Sequence, residues 1–330
     1  MADDKWSEQP TEDGRSNVDT KEWKLIEKVL MASGQEQKRT RRWGIFFKAL
    51  TFVYLFALLL VFSPSRWMGD AASSDGPHTA MVEVQGLIAE GELASADNVV
   101  TGLRDAFEDD QTKAVILRIN SPGGTPVQAG YIYDEILRLR DMYPDTKLYA
   151  VIGDLGASGG YYVAAAADEI YADKASLVGS IGVISGGFGF AGTMEKLGVE
   201  RRLYTAGENK AFLDAFSPTK EGEKEFWEGV LKVTHSQFIE KVKQGRGARL
   251  QDSPELFSGL IWSGEQAKEL GLIDGLGSPG YVAREIIGEE NIVNFTPRRN
   301  PFEEWSDRLG VSIGKTVAAA VGFGGVPRLQ

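Results

Sequence analysis

The chain's most reactive-looking stretch is Gly153 to Ala167, which reads Gly-Asp-Leu-Gly-Ala-Ser-Gly-Gly-Tyr-Tyr-Val-Ala-Ala-Ala-Ala. An apolar run, Leu148 to Ile152, precedes it, and a small-residue run with the character of a buried helix follows. Ser158 therefore sits at a strand-to-helix junction. Such a junction can expose a hydroxyl, and the amides at the helix start can stabilise developing negative charge. The chemistry this suits is acyl transfer by a serine nucleophile. Serine is equally at home as a plain N-cap, so the position alone leaves both readings open.

A second candidate is Asn120-Ser-Pro-Gly-Gly124, at the end of the apolar run Ala114 to Ile119. Binding sites in open α/β sheets form at that edge of the strands. Paired glycines before a helix can present backbone N–H groups to an oxyanion. Pro-Gly also marks an ordinary tight turn. A serine nucleophile needs a base. The chain has no cysteine and only two histidines, His78 in a polar linker and His235 in a long helical run, and both read as solvent or packing residues. A buried lysine with a lowered pKa can serve instead. Lys210 lies in the loop-like stretch Thr205 to Pro218, where a merely solvated lysine is the plain alternative.

The elements that must position these residues follow from periodicity. Ala80 to Gly86 alternates as a strand, Ala94 to Glu108 has helical spacing, and Ala114 to Ile119 is a buried strand. Gln128 to Tyr143 reads as a helix, Leu148 to Ile152 as a strand, Gly159 to Ala167 as a helix and Glu169 to Ala172 as a strand. This order predicts βαβ units and an α/β layer fold. Leu177 to Ile184 is strand-like but broken by glycines, Thr193 to Leu197 is helical, and Val199 to Tyr204 is extended. Thr219 to Gln244 is a long helix whose Phe226, Val230, Val233 and Phe238 suit a lid, an oligomer contact or core packing. Ser263 to Leu270 and Tyr281 to Ile287 are short helices.

Upstream, residues 1–42 are polar, with Trp23, Ile26, Val29 and Leu30 at helical spacing. Trp43 to Phe62 is a run of 20 residues, apolar but for Lys48 and a few small or aromatic-polar side chains. A helix of that length spans ~30 Å, the thickness of a bilayer core. Lys38, Arg39, Arg41, Arg42 and Lys48 crowd its N-terminal side, whereas Arg66 is the lone basic residue from Ser63 to His78. The positive-inside rule puts the N-terminus in the cytoplasm and the rest of the chain beyond the membrane. A cleaved signal peptide, with Gly69 to Ala71 as its cut site, is the rival, but 42 residues is a long leader for one. The expected organisation is a cytoplasmic segment 1–42, an anchor 43–62, a linker 63–78, a catalytic domain 79–295 and a tail 296–330. A net charge of -11 excludes the basic surface of a nucleic-acid binder. The absence of cysteine excludes thiol chemistry, disulfides and thiolate metal sites, and with two histidines no histidine-rich metal site is available. No cofactor is expected.

Five segments together resemble the signal peptide peptidase A family, serine proteases of the Clp-protease/crotonase superfamily. They are Asn-Ser-Pro-Gly-Gly at 120–124, Ala-Ser-Gly-Gly-Tyr-Tyr at 157–162, Gly-Ser-Ile-Gly-Val at 179–183, Gly-Glu-Asn-Lys at 207–210 with its downstream Ser-Pro, and Gly-Leu-Ile-Asp-Gly-Leu-Gly at 271–277. The resemblance implies repeated β-α units of that superfamily behind one transmembrane helix. It implies Ser158 as nucleophile, Lys210 as general base, Ser180 as the hydroxyl that orients the lysine, and the N–H groups of Gly124 and Gly159 as oxyanion donors. It also implies remnant signal peptides and other membrane-derived peptides as substrates. The short, single-repeat form implies a homo-oligomer with sites between neighbouring subunits, on the extracytoplasmic side of the inner membrane. The 42-residue N-terminal extension departs from the family pattern. A crotonase-type acyl-thioester enzyme would share the fold, and an inactive membrane-tethered interaction protein would share the anchor. The small, apolar stretch from Gly314 resembles the implied substrates and is a candidate for self-processing.

Overall fold

A computed structural model describes residues 23, 24, 26, 28, 41–56, 58 and 76–297. The expectations for residues 1–22, most of 25–40, the linker from 63 to 75, including the Gly69 to Ala71 cut site, and the tail from 298 lie outside them. The chain divides into two units, residues 1–70 and 71–330. In the first, residues 41–56 are helical, with Trp43, Phe46, Phe47, Phe52 and Phe56 all exposed. Among the described residues no helix is long and apolar enough to cross a membrane. Ala57 and residues 59–62, which complete the expected span, are outside the described set.

The second unit is an α/β fold on an eight-stranded sheet, ordered β6-β5-β3-β2-β1-β8, with β4 and β7 branching from β3. The strands are β1 (His78–Gln85), β2 (Thr112–Ser121), β3 (Lys147–Ala157), β4 (Glu169–Ala172), β5 (Leu177–Gly179), β6 (Ile261–Ser263), β7 (Gly275–Leu276) and β8 (Ile292–Asn294). Every pairing is parallel except β5 with β6. The helices are α1 (Ala96–Glu108), α2 (Pro126–Met142), α3 (Gly159–Ala164), α4 (Ala191–Leu197), α5 (Glu221–Arg246) and α6 (Gly264–Glu269). A turn at Pro279–Tyr281 continues as a π-helical stretch, Val282–Ile287.

The core follows from the patterning. Central strands buried on both faces should be continuous apolar runs, and Ala114 to Leu117 of β2 are buried without interruption. Val99, Leu103 and Phe107 of α1 and Ile132, Ile136 and Leu139 of α2 cover one face at helical spacing. Each such side chain contributes about 1.5–3 kcal/mol when withdrawn from water. The alanine run Ala164 to Ala167 is fully buried. Its small side chains let α5 approach until the Gly245 backbone contacts the Ala165 carbonyl.

β3 carries the site because it changes partner along its length. Its first half, Tyr149 to Ile152, pairs with β4, and its last three residues, Leu155 to Ala157, pair with β5. Between them the register against β2 slips, from Ile119↔Ile152 to Ser121↔Gly156. Asn120 bridges the slip. Its Oδ1 accepts from the Leu155 N–H at 3.2 Å, and its Nδ2 donates to Asp154 at 3.2 Å.

Several boundaries differ from expectation. β3 runs on to Ala157, because its last three residues, Gly156 among them, pair with β5. β5 stops at Gly179 rather than Ile184, since no strand pairs beyond it on that line. α3 ends at Ala164, and Val199 to Tyr204 is not a strand. The linker gives way to β1 one residue early. His78 is its first residue and only 1% exposed, stacked on Phe295, and so belongs to the core rather than to a polar linker.

Residues 182–220 stand apart: not one of them is buried. This arm is held by local contacts. The Phe190 N–H donates to the Ala215 carbonyl at 2.6 Å, Phe190 stacks on Phe216, and Arg201 pairs with Asp214 at 2.7 Å. Phe212 packs edge-on against Phe226 and Trp227 in the first half of α5.

Candidate active site

Ser158 leaves the end of β3 as the residue before α3. Its backbone takes φ 51, ψ -123, a region that side chains rarely occupy. A strand pairing and two bonds bracket that geometry: Ala157 pairs with Gly179, the Ser158 N–H donates to the Gly179 carbonyl at 2.8 Å, and the Ser158 carbonyl accepts from the Tyr162 N–H at 2.9 Å. The hydroxyl makes no capping hydrogen bond. The N-cap position is therefore real but the capping job is not done, and the hydroxyl is left at a cleft.

The Asn120–Gly124 loop interlocks with this corner. Ser121 is fully buried; its hydroxyl donates to the Gly86 carbonyl at 2.6 Å and accepts from the Gly123 N–H at 3.0 Å. Gly123 has φ 101, and a β-carbon there would come within 2.6 Å of the Gly159 nitrogen and 2.7 Å of the Ser158 β-carbon. Gly124 bridges Ile88, and a β-carbon on it would overlap the Ile88 carbonyl. The Gly124 nitrogen lies 3.1 Å from where a Gly159 β-carbon would stand. Among the described residues, neither the Gly124 N–H nor the Gly159 N–H donates a hydrogen bond. Two unused donors thus flank one hydroxyl, the arrangement that stabilises a tetrahedral oxyanion.

Ser158, Gly124 and Gly159 line one cleft of about 140 Å³. Its other walls are Pro126 and Ala129 of α2, Tyr162 of α3, Gly182 to Ile184 of the arm, and Thr234, Gln237 and Phe238 of α5. Tyr162 and Phe238 pack against each other with centroids 4.9 Å apart. Burial, with a smaller contribution from Asp134, raises the Tyr162 phenol, so it is neutral near pH 7. It is the sole titratable side chain among the described residues of the lining. The cleft is uncharged and holds no general base of its own.

Ser180 follows β5 as Ser158 follows β3, each one residue past the Ala157↔Gly179 pair. It too has positive φ, 50°, and its N–H donates to the Leu260 carbonyl at 2.8 Å. The structure thus brings Ser158, Ser180, Gly124 and Gly159 to one corner. It does not bring Lys210 there. Lys210 is exposed on a turn of the arm, makes no side-chain hydrogen bond or ion pair with the described residues, and is not part of the cleft lining. Its neighbour Phe212 packs at Phe226 and Trp227, and the cleft residues of α5 begin about two turns further along that helix. In the single chain Lys210 therefore meets neither Ser158 nor Ser180, and the arm that carries it lies open.

The 271–277 segment proves structural. Asp274 receives both Arg246 terminal nitrogens, at 2.7 and 2.9 Å, and the Ile170 N–H at 2.7 Å. Burial opposes its ionisation, but the Arg246 guanidinium, the Ile170 N–H and Arg249 together hold the carboxyl below its usual range. The cleft walls on α5 and on Gly182 to Ile184 escaped sequence reasoning. Thr234, Gln237 and Phe238 share a helical face, but an i, i+3, i+4 pattern looks the same whether it lines a cleft or a core.

Residues 143–292 match the sequence model of Peptidase family S49. A putative protease, slr0021, of Synechocystis sp. (strain ATCC 27184 / PCC 6803 / Kazusa) is 33% identical over 199 residues, which are 60% of this chain and 69% of that protein. A putative signal peptide peptidase SppA of Enterococcus faecium is 35% identical over 224 residues, 65% of this chain and 64% of that protein. A protein of Brucella abortus (strain 2308) named Na(+)/H(+) antiporter NhaA is 43% identical over 222 residues, which are 66% of this chain but only 30% of its own length.

Proposed function

This chain belongs to peptidase family S49, and from that membership we propose that it is a membrane-anchored serine endopeptidase in which Ser158 attacks the peptide carbonyl. The observation that carries the reading is the strained Ser158, uncapped and flanked by the free N–H groups of Gly124 and Gly159. In the proposed reaction a neutral Lys210 amine takes the hydroxyl proton as Oγ bonds to the carbonyl carbon. The oxyanion lies on the two glycine amides. The C–N bond then breaks as the lysine returns the proton to the leaving amine, and water, deprotonated in turn by the lysine, releases the acyl group. Ser180, next to Ser158 in register, orients the amine.

Because Lys210 is open in the single chain, the base comes from a neighbouring copy in a homo-oligomer. The arm supports this: none of residues 182–220 is buried, while Ile184 is 93%, Phe188 83% and Tyr204 89% exposed. A surface of that kind calls for a partner. The fold is that of the Clp-protease/crotonase superfamily, residues 79–295 form the catalytic domain, and residues 43–62 anchor it with the N-terminus in the cytoplasm. The substrates are remnant signal peptides and other membrane-derived peptides. An uncharged cleft with an aromatic floor favours such small or apolar side chains.

The test is fluorophosphonate labelling together with peptide cleavage by the wild type, Ser158→Ala, Lys210→Ala and a mixture of the two variants. Labelling at Ser158, a loss of cleavage of about 100-fold or more in Lys210→Ala, and recovery in the mixture support the reading. Recovery without either active parent requires Ser158 and Lys210 to act from different chains. Near-normal cleavage by Lys210→Ala removes the lysine. An unlabelled Ser158 with acyl-thioester turnover leaves the crotonase-type alternative, and with no turnover the tethered interaction protein.

A further inference from the structure

The cleft wall Gly182 to Ile184 hangs from very little. Residues 181–189 make one hydrogen bond to the rest of the described residues: the Ile181 carbonyl accepts from the His235 ring, with Nε2 3.1 Å from the oxygen. A carbonyl only accepts, so Nε2 carries the proton in this bond, and the neutral tautomer with Nε2–H and the imidazolium can both donate it. His235 is half-buried on α5, between Thr234 and Gln237, which face the same cleft. Just upstream the backbone is tied at each step: the Gly179 carbonyl holds the Ser158 N–H, and the Ser180 N–H holds the Leu260 carbonyl. Ile181, whose side chain is wholly buried, is the last tied residue before the open arm.

We propose that His235 is a positioning residue for substrate: its Nε2–H holds the Ile181 carbonyl and thereby fixes the wall Gly182 to Ile184 of the cleft that Ser158 also lines. It touches no reacting atom. Its effect is on how well a substrate side chain is gripped, and the loss of its bond lets the wall drift with the arm. The inference rests on Ser158 being the nucleophile only so far as the wall's use is concerned; the tether itself is independent of that reading.

The test compares His235→Leu, which removes the donor, with His235→Gln, which offers an amide N–H the same number of bonds from Cα. Three readouts are taken on the full chain: KM and kcat for a peptide substrate, the rate of fluorophosphonate labelling of Ser158, and hydrogen exchange at residues 181–189. Removing one such bond raises KM in the Leu variant about three- to tenfold. It speeds exchange at 181–189, and it leaves kcat and the labelling rate, which need no side-chain grip, within about twofold. The Gln variant recovers both KM and exchange. Unchanged KM with unchanged exchange in the Leu variant overturns the proposal, as does a Gln variant no better than Leu, which would make the ring's packing the cause. A wild type that neither cleaves nor labels defeats the peptidase reading instead, and the exchange comparison then still decides whether His235 holds the wall.

Discussion

Ser158→Gly is expected to raise stability while abolishing any nucleophile, and the size of the gain follows from the backbone. At φ 51, ψ -123 a residue with a β-carbon carries strain of about 1–3 kcal/mol. Glycine removes it but adds about 0.5–1 kcal/mol of unfolded-chain entropy. The hydroxyl makes no capping bond, so its loss costs nothing further at the helix start. The net is a gain of about 1 kcal/mol. Ser158→Ala is the reference, since it removes the same hydroxyl and keeps the β-carbon with its strain. For a unit of this size about 1 kcal/mol moves Tm by about 2–4 °C. Thermal melts of the two variants at one protein concentration, which matters if the chain self-associates, should place the glycine form above the alanine form by that amount. A glycine variant that melts with or below the alanine variant refutes the claim that the elbow is strained, and with it the idea that the fold holds this side chain out against a local cost.

Other expectations follow from single contacts. Gly124→Ala drives a β-carbon into the Ile88 carbonyl, so the loop must move; fluorophosphonate labelling of Ser158 should fall by about 100-fold, the loss seen when one oxyanion donor is displaced, while circular dichroism stays native. Arg246→Met leaves the Asp274 carboxylate with Arg249 at 3.3 Å as its remaining ion pair; urea unfolding should show a loss of about 3–5 kcal/mol, part of which returns when Asp274→Asn is added. Glu135 is held at about 2, chiefly by its hydrogen bond to Arg138 and further by Arg104, against the burial that opposes it. Its folded pKa lies below the unfolded value of about 4.3, so its contribution is complete above that value and is lost as pH falls toward 2. Both arginines are about half exposed, so solvent screening keeps the contribution small. Glu135→Gln should therefore be less stable than the wild type at pH 7 and nearly equal to it at pH 2; a difference independent of pH would assign the effect to packing.

What the sequence shows of this molecule is what short-range physics determines. The runs Ala114 to Ile119 and Glu169 to Ala172 are strands because they are apolar and bounded by turn residues, and the junction at Ser158 lies where an apolar run meets a small-residue run. Partner changes were not legible. Nothing in Leu148 to Ala157 says that the strand will leave β4 for β5, yet that change places Ser158 beside Ser180. The tight turn at 120–124 was visible as Pro-Gly, but the part played by Ser121, buried and bonded both to Gly86 and to Gly123, depends on contacts with a distant strand end. His78, in a polar linker, and His235, in a long helical run, both read in the sequence as solvent or packing residues. In the structure the first is core at the start of β1, and the second is the tether of a cleft wall.

The arm and the lysine pose one problem rather than two. Ordering residues 182–220 costs backbone entropy of about 1–2 kcal/mol per residue, and a segment with no buried residue recovers little of it from its own apolar surface. The local ties, Arg201 to Asp214 and Phe190 to Phe216, fix parts of the arm against each other but not the arm as a whole. Docking against a second copy would withdraw Ile184, Phe188, Leu197 and Tyr204 from water, and would take Lys210 with them, because it rides on the same segment. Desolvation is also what disfavours the charged ammonium and frees its lone pair. Arm burial and base activation are therefore coupled in this reading. Dilution should lower cleavage and raise hydrogen exchange across 182–220 over the same concentration range. If cleavage persists at concentrations where the arm exchanges freely, an amine on that arm is not the base.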